Sequence, residues 1–181
     1  MEHLWTPWRL NYILSDKKRD GCVFCEKTQH PESDRDELVL ARSPHAMLVL
    51  NMYPYTNGHL MAVPYAHVSS LVDVAVDALR DLAILTRLAE QTLRGSMSPQ
   101  GFNVGINIGR AGGAGVDDHI HVHIVPRWGG DTNFMTVVGQ TRTVPELLPD
   151  TRERLAKTLA DLGYPLHPQT GTVWVDTSKE K

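Results

Sequence analysis

The run Asp118-His119-Ile120-His121-Val122-His123-Ile124-Val125-Pro126-Arg127-Trp128 alternates histidine with β-branched residues. Successive side chains of a strand point to opposite faces, so residues two apart line one side. The pattern predicts a strand that turns Ile120, Val122 and Ile124 into a core and stands His119, His121 and His123 together on the other face. A lone histidine on a strand needs no function. Three at strict two-residue spacing, behind a glycine-rich segment, point to chemistry: imidazoles in a row can bind a metal, hold phosphate oxygens or attack a substrate.

The glycine-rich segment is Asn107-Ile108-Gly109-Arg110-Ala111-Gly112-Gly113-Ala114-Gly115. Glycine lets the backbone approach a ligand closely, and successive N–H groups can form an anion-binding nest, to which Arg110 would add charge. Further out, residues 37–41 and 46–51 read as a hairpin across Arg42-Ser43-Pro44-His45. Residues 59–64 and 102–108 read as further strands. Residues 21–25 read as a tight turn and 26–36 as a polar loop. Residues 52–57 form a loop ending in the Asn57-Gly58 turn signal. Leu71, Val74, Leu79, Leu82, Leu85, Leu88 and Leu93 recur at three- to four-residue spacing. They predict a long amphipathic helix from Ser69 through Arg94, with Ser70 and Asp73 as a capping pair. A second helix is expected between Leu147 and Leu162, beginning near Pro149-Asp150 and closed by Gly163. The order strands, helix, strands, helix favours an α+β fold: an antiparallel sheet of about five strands with one long and one C-terminal helix. Such a sheet leaves an edge that a second copy can cover. Three regions follow: an arm over 1–20 that packs Trp5 and Trp8 on the body, a catalytic domain over 21–163, and a partly ordered tail over 164–181.

The bulk figures narrow the function class. The chain has 181 residues, 41% hydrophobic and 22% charged, with a formal net charge of −3. This is an ordinary soluble composition without the broad basic surface that nucleic-acid binding through phosphates requires. No apolar run approaches the roughly 18–20 residues of a membrane helix. Met1-Glu2-His3-Leu4-Trp5 lacks the basic and apolar regions of a signal peptide, so a cytoplasmic location is expected.

Two cysteines do not make a disulfide framework. Cys22-Val23-Phe24-Cys25 has the gap that lets two thiolates reach one zinc. A redox pair or two buried thiols are the other readings. His67 and His119 are the histidines assigned to complete a structural zinc site with Cys22 and Cys25. A metal held by His119, His121 and His123 together is disfavoured. Same-face neighbours on one strand stand roughly 6–7 Å apart, too far to converge on an ion with zinc–nitrogen bonds near 2.0–2.1 Å.

The triad His119-Ile120-His121-Val122-His123-Ile124-Val125 resembles the signature of the histidine triad family. Asn51, Tyr53-Pro54, Gly58-His59-Leu60 and Pro64-Tyr65-Ala66-His67 are similar to the family's first half, so the likeness runs from Cys22 to Trp128. Leu4-Trp5-Thr6-Pro7-Trp8-Arg9, Ala114-Gly115-Val116, Pro126-Arg127-Trp128 and Asn133-Phe134-Met135 resemble its diadenosine tetraphosphate phosphorylase branch.

The resemblance implies a nucleotidyltransferase or hydrolase of dinucleoside polyphosphates, working as a homodimer whose sheets join edge to edge. It implies that His121 is the nucleophile and forms a nucleotidyl-histidine. His123, His59, Asn107 and the N–H groups near Gly115 would surround the phosphate. Asn51 would hold the ribose and Val49 would shape the base pocket. Discharge by inorganic phosphate would give ADP plus ATP from diadenosine tetraphosphate, and discharge by water AMP plus ATP. No organic cofactor, membrane or nucleic-acid partner is implied, although magnesium can accompany the substrate. Many family members carry a Gln-Ser or Gln-Thr pair before the triad, whose hydroxyl serves the leaving group. Here Gly113-Ala114-Gly115-Val116-Asp117-Asp118 stands instead, with the acidic pair expected to face solvent or orient a histidine. The alternatives are a water-using hydrolase of nucleoside phosphoramidates or dinucleoside polyphosphates, and a non-catalytic zinc-stabilised nucleotide-binding module.

Overall fold

The computed structural model describes residues 21–131 and 146–179. The expected arm over 1–20 and the Asn133-Phe134-Met135 signature lie outside the described residues. The elements are α1 (Val23–Gln29), β1 (Val39–Arg42), β2 (Ala46–Leu50), β3 (Leu60–Pro64), α2 (Val76–Met97), β4 (Gly101–Ile106), β5 (Val122–Arg127), α3 (Leu148–Asp161) and β6 (Val173–Trp174). One mixed sheet runs in the order β4-β5-β3-β2-β1-β6. The pairs from β4 through β1 are antiparallel, and β6 joins β1 in parallel. The α+β antiparallel expectation holds. The sixth strand comes from the tail, where Val173 and Trp174 pair with Ala41 and Arg42.

The strand alternation divides the sheet into two faces. Leu48, Leu50, Leu60, Ala62, Val122 and Ile124 face α2 and α3 in one core, together with Leu82, Leu85, Leu88, Leu93, Leu155 and Leu159. Each fully buried leucine of this kind stabilises the fold by about 1.5–3 kcal/mol before chain entropy is counted. Val39, Met47, Val49, Met61 and Val63 alternate to the other face and are covered by Phe24 of α1. His123 of β5, paired with Met61, belongs to this second face. Among the described residues no helix is long and apolar enough to cross a membrane.

Three local expectations are corrected. Residues 21–25 are not a tight turn, because Cys22 is the N-cap of α1 and its carbonyl accepts the Glu26 N–H. Residues 26–36 continue that helix and add a one-turn 3-10 segment, Pro31–Ser33, rather than forming a plain loop. The long helix begins at Val76, after a separate 3-10 turn over Leu71–Asp73, and no side chain caps it. Leu71 and Val74 therefore belong to the approach, not to the helix. Its C-terminus is closed by Ser98 in a left-handed conformation, whose N–H reaches the Arg94 carbonyl.

Candidate active site and metal cluster

The triad spans β5 and the segment leading into it: His123 is on the strand, His121 directly precedes it and His119 lies three residues before it. His121 and His123 share the face of Met61 and Val63, and His119 continues that face beyond the strand. His123 lies between Met61 of β3 and Gly105 of β4. Among the described residues a Cβ at Gly105 would meet nothing within 4 Å, so none of them fills the space beside His123 on that flank. Continuing the same register sets Asn107 opposite His121. Phe24 packs against both His119 and His121, with ring centroids 5.3 and 5.1 Å away. The single aromatic of the Cys22–Cys25 segment thus floors the triad.

Main-chain groups decide which nitrogen of each imidazole carries its proton. His119 Nε2 lies 2.9 Å from the Pro64 carbonyl and must donate to it, which leaves the Nδ1 lone pair free. His121 Nδ1 lies 2.9 Å from the His119 carbonyl, so Nδ1–H donates there and Nε2 keeps a lone pair. His59 Nδ1 accepts from the Tyr55 N–H at 3.1 Å and has the Asn51 amide nitrogen at 3.2 Å. Nε2 of His59 then carries the proton and donates to His123 Nδ1 at 2.9 Å. That leaves His123 with an outward Nε2–H, because a neutral imidazole has one donor and one acceptor. His121 thus presents a lone pair and His123 a proton, side by side, with ring centroids 4.6 Å apart.

Burial keeps these rings neutral. His59 is fully buried. Desolvation, then the neighbouring His123 and His121, lowers its pKa to about 3. Desolvation, then His121, lowers His123 to about 4. His121 is also pushed down by burial, with its bond to the His119 carbonyl opposing. Tyr55 covers the His59–His123 pair, its ring centroid 4.6 and 5.7 Å from theirs.

Cys22, Cys25, His67 and His119 form a second constellation, with one donor atom from each lying within 4.8 Å of all the others. Cys22 Sγ is 3.3 Å and Cys25 Sγ 3.7 Å from His119 Nδ1, and Cys25 Sγ is 3.4 Å from His67 Nδ1. A tetrahedral thiolate–imidazole site with bonds near 2.0–2.3 Å separates its donors by roughly 3.3–3.8 Å, so the donor set fits a four-coordinate ion. Burial, reinforced by Cys22, pushes the pKa of the Cys25 thiol up. Asp118 Oδ2 stands 3.8 Å from His67 Nε2. Asp117 instead pairs with Arg110 at 2.7 Å, so Arg110 is already matched by a carboxylate.

The remaining site candidates sit around the triad. Asn51 spends its amide on the loop: Oδ1 accepts from Tyr53 N–H at 2.9 Å, and Nδ2 donates to His59. One amide hydrogen is left over. Val49 is buried in the apolar cluster with Phe24. Asn107 is half-buried just past β4, and Gly115 is exposed in the loop before the triad. Sequence reasoning missed Tyr55, Phe24 and the Pro64 carbonyl. Two of these act through the main chain, which no residue type advertises. Phe24 does carry a signal, as the lone aromatic between two cysteines.

The sequence profile of the HIT domain matches residues 32–130. The chain belongs to the HIT domain family. A HIT relative from Mycobacterium tuberculosis (strain ATCC 25618 / H37Rv), named AP-4-A phosphorylase, is 43% identical over 162 residues, covering 86% of this chain and 83% of the relative. Among solved HIT structures, a Zn-bound histidine triad family protein from Mycobacterium smegmatis superposes with a TM-score of 0.65 at 27% identity, over 80% of this chain and 96% of that one. The diadenosine triphosphate hydrolase of Plasmodium falciparum shares the fold, with a TM-score of 0.54 at 16% identity, over 70% of this chain and 77% of that one.

Proposed function

We propose that this HIT protein is a nucleotidyltransferase of dinucleoside polyphosphates that works through a covalent nucleotidyl-His121. The observation that carries this reading is the opposed tautomer pair: a lone pair on His121 Nε2 beside an N–H on His123 Nε2. Nε2 of His121 attacks the α-phosphorus. A P–N bond forms as the P–O bond to the leaving polyphosphate breaks, with both electrons going to oxygen. The His119 carbonyl holds the Nδ1–H of His121 throughout and stabilises the imidazolium that carries the nucleotidyl group. His123 donates to the oxygen on which charge develops. Asn107, opposite His121, and the N–H groups around Gly115 supply further donors, and the spare amide hydrogen of Asn51 is available to a ribose hydroxyl. The 43% identity to a protein named AP-4-A phosphorylase supports inorganic phosphate as the group that discharges the intermediate, giving ADP plus ATP from diadenosine tetraphosphate.

Zinc is the ion assigned to Cys22, Cys25, His67 and His119. The soft donor set, the tetrahedral spacing and the Zn-bound relative support it. When bound, zinc would take the Nδ1 lone pair of His119 and tie α1 to the sheet, and Asp118 would orient His67 as an outer-shell carboxylate. A homodimer through β4 is supported by the edge that this strand leaves unpaired among the described residues, with Val104 half exposed on it.

Product analysis with and without inorganic phosphate tests the reaction. ADP and ATP should appear only when phosphate is supplied. ATP and AMP released at an unchanged rate without it would overturn phosphorolysis. His121→Asn should lower turnover by at least about 10³-fold while nucleotide binding persists. Unchanged turnover would remove His121 as nucleophile.

A further inference from the structure

The donor chain that ends at His123 is closed at its inner end. Tyr55 N–H and the Asn51 amide both donate to Nδ1 of His59, so the lone pair of that nitrogen is occupied twice over. Nε2–H of His59 is spent on His123. We propose that this closed chain makes the site selective for leaving groups that depart as anions, and that Asn51, acting through His59, is a positioning residue that sets the selectivity. The inference rests on nucleotidyl transfer to His121 and names the leaving-group class that transfer accepts.

Proton balance enforces this selectivity. For His123 to give up its Nε2 proton, it must regain one at Nδ1 from His59. His59 must then take a proton at Nδ1, where two N–H groups already point. Without that uptake an imidazolate would be stranded in an interior that penalises unpaired charge heavily. Nor is an imidazolium available as an acid at neutral pH. Both rings are desolvated, and among the described residues the groups facing them are the other histidines and the Tyr55 ring rather than a carboxylate. His123 can therefore donate a hydrogen bond but keeps its proton. The P–O bond breaks with its electron pair on oxygen, and the leaving group exits with the added negative charge. A phosphate oxygen of a nucleoside polyphosphate tolerates this. An alkylamine or alkoxide, which must be protonated to leave, does not. The stretch between Gly109 and His119 supplies no hydroxyl side chain to do that job.

The test is a leaving-group series on the intact protein. Aryl esters of adenosine monophosphate with phenols of graded acidity, diadenosine tetraphosphate and an alkylamine adenosine phosphoramidate all deliver the same adenylyl group. The wild-type kcat/KM should fall by roughly fivefold or more per unit of leaving-group pKa. The phosphoramidate should lag the polyphosphate by about 10²–10⁴-fold, the span that an absent general acid costs. Asn51→Asp replaces one of the two donors by an anionic acceptor, so His59 can hold a proton at Nδ1 once the remaining Tyr55 N–H yields, and the chain can then deliver one outward. In this variant the series should flatten and the phosphoramidate-to-polyphosphate ratio should rise by about tenfold or more. Any ribose contribution cancels, because every substrate carries the same ribose. A shallow wild-type series overturns the proposal by itself, and so does an unchanged ratio in a folded Asn51→Asp variant. If no substrate of the panel adenylates His121, the reading of the function fails, and this inference fails with it.

Discussion

His119 and His121 each donate a hydrogen bond to a main-chain carbonyl, while His123 accepts one from His59. Three chemically identical side chains thereby present three different groups: a lone pair beside the two cysteines, a lone pair on His121 Nε2 and an outward N–H on His123. Burial enforces the neutral forms, and this has a measurable consequence. In the unfolded chain His59 titrates near the ordinary 6.5, whereas in the folded protein it does so at about 3. Above pH 6.5 both states leave the ring neutral, and the stability gained by holding it so is fully present. As pH falls from 6.5 toward 3, the unfolded chain takes a proton that the folded protein refuses. Stability then drops by up to about 1.4 kcal/mol per pH unit from this residue. Urea unfolding between about pH 7 and about pH 4 should show the loss, with a gentler slope in His59→Gln. The acid limb of kcat/KM should also lie below the ordinary imidazole range, since His123 stays neutral down to about 4. A limb centred on 6.5 would contradict that burial.

Helix α1 illustrates why an element can be hidden from sequence. It is seven residues long, shorter than isolated helices sustain and too short to display a period. It forms because the body holds both of its ends. Phe24 is buried against His119 and His121. The Lys27 carbonyl accepts from Arg42, whose guanidinium is also paired with buried Asp34. The same anchoring carries Cys22 and Cys25 to one side, three residues apart on a helix. Metal analysis of the purified protein should find about one zinc per chain, lost in Cys22→Ser and in Cys25→Ser, with a lower Tm in each. Retention of zinc in both variants would show that the four assigned ligands are wrong. The capping pair expected at Ser70 and Asp73 failed for a related reason. The chain makes a tight 3-10 turn there and the helix starts only at Val76, after a segment whose Val68 carbonyl accepts the Ile120 N–H from the sheet side.

On the scale of the whole molecule, the two ends of the sheet are finished differently. At the β6 end, Arg152 of α3 is fully buried and donates to the carbonyls of Val39 and Thr170. It pins the C-terminal segment beside β1. Gly171, at φ +62°, passes so close that a Cβ would meet the guanidinium at 2.9 Å. Arg152→Met leaves both buried carbonyls short of a donor and should cost about 2–4 kcal/mol, read by urea unfolding. An effect within about 0.5 kcal/mol would mean that the clamp is idle. At the β4 end the strand has no neighbour among the described residues. If a second copy covers it, Val104→Lys should shift the protein from dimer to monomer in light scattering, and a monomeric wild type would refute the edge-to-edge pairing.

Alternation alone determined much of this protein. The period of two in residues 119–124 sets the histidines on one face and Ile120, Val122 and Ile124 in the core. The leucine spacing marks α2, and the glycines and Asn57-Gly58 mark the loops. These patterns are legible because they are local and repeat. The cysteine pair and the histidines were visible as residue types, but that Cys22, Cys25, His67 and His119 come within reach of one ion is a property of the fold. The tertiary structure decided what local pattern cannot encode: the helix under the triad, the strand contributed by the tail, and the proton on each imidazole. That last choice depends on carbonyls and N–H groups of Pro64, His119 and Tyr55. Every residue carries such groups, so only the fold can tell which of them an imidazole meets.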